Sequence, residues 1–178
     1  MKYIIGALAM LVLVAVIALT QAQNLMFNIT PSPYGVEETA ARIQENIQRM
    51  EGRGWALSGL RNPAAAVAAS GSNVPPVLLV EACSTKYSGP LLKIENSRIY
   101  SILMPCTITV YKNDDGSTSI GTMNAGLMGW LFGISDIMDE VFADQQAFIT
   151  FDPSRPAPPL IKGRPGGGGG DGKPEAGC

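Results

Sequence analysis

Hydrophobic and polar positions alternate most regularly between Cys106 and Tyr111. Cys106, Ile108 and Val110 fall on one side, and Thr107, Thr109 and Tyr111 on the other. A period of two is that of a strand with one buried face, so Cys106 is expected to point into the core. Asn113-Asp114-Asp115-Gly116 supplies a turn, and Ser117 to Met123 returns as the second arm of a hairpin. Val77 to Ala82 (VLLVEA) is almost continuously apolar over a strand's length, which suits a central strand. Asn24 to Thr30 alternates more weakly through Leu25, Phe27 and Ile29, and Pro31-Ser32-Pro33 breaks it. Trp55 to Leu60 and Ala147 to Phe151 complete the strand candidates, the last at a sheet edge.

Between these runs the period changes to that of a helix. Val36, Ala40, Ile43, Ile47 and Met50 share one helical face, with Gly35 ahead of them, Glu37 and Glu38 in the first turn, and Gly52 and Gly54 beyond the end. Asn62 to Pro76 is an Ala-rich stretch able to form a short helix before a Ser/Gly/Pro loop. Ser84 or Thr85 can cap a second main helix to about Ile94. Asn124 opens a third, to about Phe142, with a broad apolar face from Leu127, Leu131, Ile134, Ile137, Met138, Val141 and Phe142. The order β-α-β-β-α-β-β-α-β predicts an α+β fold, a two-layer domain with helices packed on a mixed β-sheet.

The two ends of the chain read differently from this domain, which spans residues 24–151. Lys2 precedes an uncharged apolar run from Tyr3 to Leu19, and Thr20-Gln21-Ala22 ends in the small residues that a signal peptidase favours. Residues 1–22 therefore form either a cleaved signal peptide or a retained N-terminal membrane anchor, since the run is long for the first and short for the second. Either places the domain outside the cytoplasm, periplasmic or anchored facing the periplasm. Residues 152–178 are rich in Pro and Gly with few apolar side chains, and are expected to form a disordered tail.

Charge excludes more than it identifies. The net charge is −2, the basic residues are scattered, and nothing resembles the footprint of a nucleic-acid partner. Glu37, Glu38, Asp136, Asp139, Glu140 and Asp144 read as solvated helix faces. The chain contains no histidine, so Ser-His-Asp and Cys-His constellations are excluded, as is the CxxCH attachment of a c-type haem. Asn28-Ile29-Thr30 fits a glycosylation sequon that matters only in a eukaryotic secretory pathway.

Three stretches, taken in order and spacing, resemble a known family: SPYGVEETAARIQENIQRMEGRGW, LLVEACSTKYSGPLLK with MPCTITVYKNDDGSTSIGTMN, and the helix that follows. They are similar to the domain-of-unknown-function 302 family, in a branch with a cysteine near the end of the central strand and Met-Pro-Cys entering the next. The resemblance implies a compact α+β domain, often a homodimer, with no agreed catalytic residues to carry over.

What chemistry remains centres on Cys83 and Cys106. In an exported chain the pair is expected to form a disulfide. The alternatives are a reactive dithiol for redox or sulfur handling, with Lys86 and Arg98 the nearby cations, and a soft-metal site in which Met104 and Met123 join the cysteines, with Met128 in reach. Thiolate and thioether ligands suit Cu(I), so copper is the one cofactor that the residues suggest. Cys178 is an odd thiol near the end of the tail. These readings leave three functions open: a non-enzymatic binding or accessory domain, a thiol-based or copper-binding protein, and a structural subunit of a membrane complex.

Overall fold

The structure, a computed structural model, describes residues 22–163 continuously, together with isolated positions between Gly6 and Val16. Most of the expected signal or anchor, and the tail beyond Gly163 with Cys178, lie outside the described residues. A short helix α1 (Ala22–Met26) leads into β1 (Phe27–Ser32), α2 (Val36–Arg49), β2 (Trp55–Arg61), α3 (Pro63–Ala69) and β3 (Val77–Ser84). Then come α4 (Thr85–Lys93), a 3-10 segment (Glu95–Leu103), β4 (Cys106–Lys112), β5 (Thr118–Met123), α5 (Ala125–Phe132) and α6 (Ser135–Phe148). Helices pack on a single five-stranded sheet, so the fold is α+β in two layers. The sheet order is β1-β5-β4-β3-β2, and every pairing is antiparallel where the sequence suggested a mixed sheet. β4, not the apolar β3, is the middle strand.

Periodicity places the core. Ile108 and Val110 of β4, Val80 and Ala82 of β3, and Ile43 and Ile47 of α2 are almost wholly buried against each other. Gly116 closes the hairpin turn at φ 85°, a conformation open to glycine at little steric cost. Pro31 is accommodated inside β1 because that strand lies at the sheet edge. β1 is also inverted: Phe27 and Ile29 are exposed, while Asn28, Thr30 and Ser32 are half-buried.

Three expectations are corrected. The third main helix is broken in two by Gly133, which at φ 68° takes the left-handed conformation that ends α5. The halves then cross closely: a Cβ on Gly129 would stand 2.7 Å from Met138 Cβ. Ala147 to Phe151 is not an edge strand. α6 runs on to Phe148, whose ring is fully buried, and Asn46 Nδ2 of α2 donates to the carbonyls of Phe148 (2.9 Å) and Thr150 (3.0 Å). Carbonyls that a strand would offer to a neighbour are thus taken up by a side chain. Finally, residues 152–163 are not loose. Leu160 and Ile161 pack against the core, and Gln44 both donates to and accepts from the Ile161 main chain at 2.9 Å. Among the described residues, no helix is long and apolar enough to cross a membrane.

Candidate functional site

Where β3 ends and β4 begins, α4, the 3-10 segment and α6 close over the sheet and leave a cavity of about 50 Å³. Cys83, Met104, Cys106 and Met123, the four side chains singled out from the sequence, all contribute to its wall. Trp55 and Tyr87 add aromatic surface, and Met138 of α6 adds a sulfur that its helical spacing did not distinguish from core. Met128 is buried in the core and does not line the cavity. On the sheet face opposite the main helices lies a wider groove of about 700 Å³, walled by Phe27, Ile29, Thr109 and Tyr111 among others. Leu103, Cys106 and Met123 line both spaces, so groove and cavity share a wall.

Cys106 carries a free thiol while Cys83 is itself disulfide-bonded, so the expected Cys83–Cys106 disulfide is not formed. Register gives the reason. Cys106 pairs with Ala82 across the β3–β4 ladder and shares its face, while Cys83 is the next residue along and falls on the alternate face. A bridge needs two Cβ vectors that converge, and a one-residue offset denies it. Burial pushes the Cys106 thiol up to about 11, so it is protonated at neutral pH and a poor nucleophile as it stands. Lys86, a candidate thiolate-stabilising cation, is engaged elsewhere, with Glu140 and Tyr87. Arg98 Nε donates to the Leu92 carbonyl at 3.2 Å.

Behind the cavity stands a polar cluster. Asp144, expected on a solvated helix face, is fully buried. Its Oδ2 accepts from Trp55 Nε1 at 2.7 Å and from the Tyr87 hydroxyl at 2.9 Å. Its Oδ1 lies 2.7 Å from Arg53 Nη2, an ion pair out of line for a hydrogen bond. Glu140, one turn earlier on α6, accepts from the Tyr87 hydroxyl at 3.2 Å and from Lys86 Nζ. The hydrogen bonds from Lys86 and Tyr87 hold the Glu140 carboxyl below its ordinary value, and the Glu140 bond raises that of Lys86. The signal in the sequence was the acidic pair at i and i+4 together with two aromatic residues whose N–H and O–H must find partners when buried. A last polar feature lines the cavity itself: Ser84 is 4% exposed, and its Oγ has no hydrogen-bond partner.

Comparison with known proteins supplies a family and no activity. The family model described as the domain of unknown function DUF302 matches residues 28–150. A crystal structure of an uncharacterized conserved DUF302 protein from Bacillus stearothermophilus is similar, with a TM-score of 0.60 and 16% identity, over 70% of this chain and 96% of that one. At that identity the likeness concerns the fold. No match is found among curated proteins.

Proposed function

The chain belongs to the DUF302 family, and on that premise we propose that it is a non-enzymatic binding or accessory domain, exported or membrane-anchored, whose ligand is held at the cavity between the β3 and β4 ends. The observation that carries this reading is the cavity itself. Its wall is apolar, aromatic and sulfur-bearing, with an unpartnered buried hydroxyl at Ser84, and its one free thiol is held protonated. Such a wall selects by size and softness and offers no activated nucleophile beside a general base. The export half of the proposal draws on Met10, Leu11, Val12, Val14 and Val16, which are helical and exposed, as befits an apolar segment whose medium is not the domain core. A protein partner or a second copy completes the proposed role.

Xenon tests the cavity. It is an apolar atom of suitable size for small dry cavities. Under xenon pressure, the methyl resonances of Met104, Met123 and Met138 should shift while those of Met50 and Met128, which do not line the cavity, stay in place. Uniform small shifts across all methionines would mean that the space is closed in solution, and would overturn the reading. Export is tested by N-terminal sequencing and fractionation: a chain recovered unprocessed in the cytosolic fraction removes that half of the proposal.

A further inference from the structure

Size and lining together narrow the occupant. A space of about 50 Å³ admits an ion or a molecule of a few atoms and excludes drug-sized ligands. Besides the disulfide-bonded Cys83, four sulfur-bearing side chains line it from separate elements: Met104 just ahead of β4, Cys106 opening it, Met123 closing β5, and Met138 in α6. Any one of them is an ordinary gap-filler. Their convergence on one small cavity, beside a 96%-buried hydroxyl left without a partner, calls for an occupant. Hard cations need oxygen ligands, and zinc needs four strong N, S or O donors, which this wall does not offer. One thiol with three thioethers is a soft donor set.

We infer that the sheet-end cavity is a site for a soft monovalent metal ion, Cu(I), coordinated by Cys106 Sγ and by thioethers among Met104, Met123 and Met138. The inference rests on the binding role proposed above and names its ligand class. Cys83 also lines the cavity but is left out because its sulfur is held in a disulfide and offers no thiolate. Binding exchanges a proton for the metal: the Cys106 S–H bond breaks, an S–Cu bond forms, one proton enters solvent, and copper remains Cu(I). Cys106 and Met123, two of the proposed ligands, line both the cavity and the open groove on the sheet face.

The experiment uses the full chain, with Ag(I) as a redox-inert probe followed by Cu(I) under anaerobic competition with a chromophoric chelator. One equivalent should shift the methyl resonances of Met104, Met123 and Met138 together, release one proton per ion, and produce thiolate-to-metal absorption in the ultraviolet. Cys106→Ser should abolish the proton release and the absorption. Met138→Leu, which preserves volume and keeps the inference testable should the cysteine variant fail to fold, should weaken the retention of Cu(I) against the chelator. Metal bound without movement of these three methyl groups, or bound unchanged in both variants, overturns the inference. Xenon entering a cavity that rejects both ions overturns the metal site and leaves the binding role standing; rejection of xenon and ions alike overturns both.

Discussion

Replacing Asp144 with alanine tests the polar cluster that backs the cavity. The substitution removes the acceptor of two buried donors, Trp55 Nε1 at 2.7 Å and the Tyr87 hydroxyl at 2.9 Å, on residues only 2% and 7% exposed. Hydrogen bonds to a charged group contribute about 1.5–3 kcal/mol each, and donors left unmet in the interior retain their desolvation penalty. Arg53 adds little, because its side chain is 59% exposed and water replaces its partner. Asp144→Ala is therefore expected to lose about 3–5 kcal/mol of stability, a large part of what a domain of this size possesses. Asp144→Asn keeps the shape and one acceptor oxygen, and is expected to lose about 1–2 kcal/mol. Urea unfolding followed by circular dichroism reads both, with an unchanged dependence on denaturant. A double-mutant cycle with Trp55→Phe isolates the indole bond, since losing the indole N–H should matter far less once the carboxylate is gone. An Asp144→Ala loss below about 1 kcal/mol, with no coupling to Trp55, would refute the claim that this carboxylate locks α6 to β2 and α4.

Cys106 supplies a pH test on the metal-free chain. Burial pushes its thiol up to about 11 in the fold against an ordinary 9.0, so stability from the neutral thiol is whole below pH 9 and is lost as pH climbs toward 11, by at most about 3 kcal/mol. Alkylation of Cys106 with half-maximal rate near pH 9 would contradict it. Gly129→Ala should lower the melting temperature, with a loss of about 1–3 kcal/mol, because the new Cβ meets Met138 Cβ at 2.7 Å and Ser135 Cα at 3.0 Å; an unchanged melt would show that α5 and α6 can part freely. Asn28 Nδ2, Thr122 Oγ1 and Gln145 Oε1 are buried without partners, and Asn28 pairs with Thr122 across the β1–β5 ladder. A high-resolution crystal structure should place an ordered water on Asn28 and Thr122, and dry density there would sink that expectation.

Local periodicity made much of the fold legible, and it failed where a tertiary contact made the decision. The hairpin, the α2 face and the start of α5 could be read because each depends on residues a few positions apart; Asn124 Oδ1 does accept from Leu127 N at 3.1 Å. The break at Gly133 was hidden because the apolar pattern runs through it unbroken, and only the close approach of Gly129 to Met138 requires the chain to turn. Ala147 to Phe151 looked like a strand because five apolar-rich residues show no period, and Asn46, about a hundred positions away, takes up the carbonyls at that helix end. The candidate site was legible in its members and not in its pairing. That all four side chains share one cavity follows from strand ends that the pattern located. Whether the cysteines can bridge depends on a register of one residue, which no feature of either strand specifies alone.

Trp55 and Tyr87 belong to both the polar cluster and the cavity wall, and this double membership bears on function. A wall of Leu and Met alone adapts its shape to whatever enters, because such side chains change rotamer at little cost. Here the opposite wall is fixed. The indole is held by Asp144 and set edge-on to Phe148 at 4.9 Å, and the phenol is held by two carboxylates of α6. Rigid aromatic surface on one side and compliant thioethers on the other let the volume stay small while the sulfur atoms adjust to an occupant. Asp144→Asn should therefore broaden the methyl resonances of the cavity methionines and weaken retention of the soft ion, even at temperatures where the domain stays folded. A variant with weakened stability and unaltered methionine spectra would separate the cluster from the cavity, and would assign Asp144 to the fold alone.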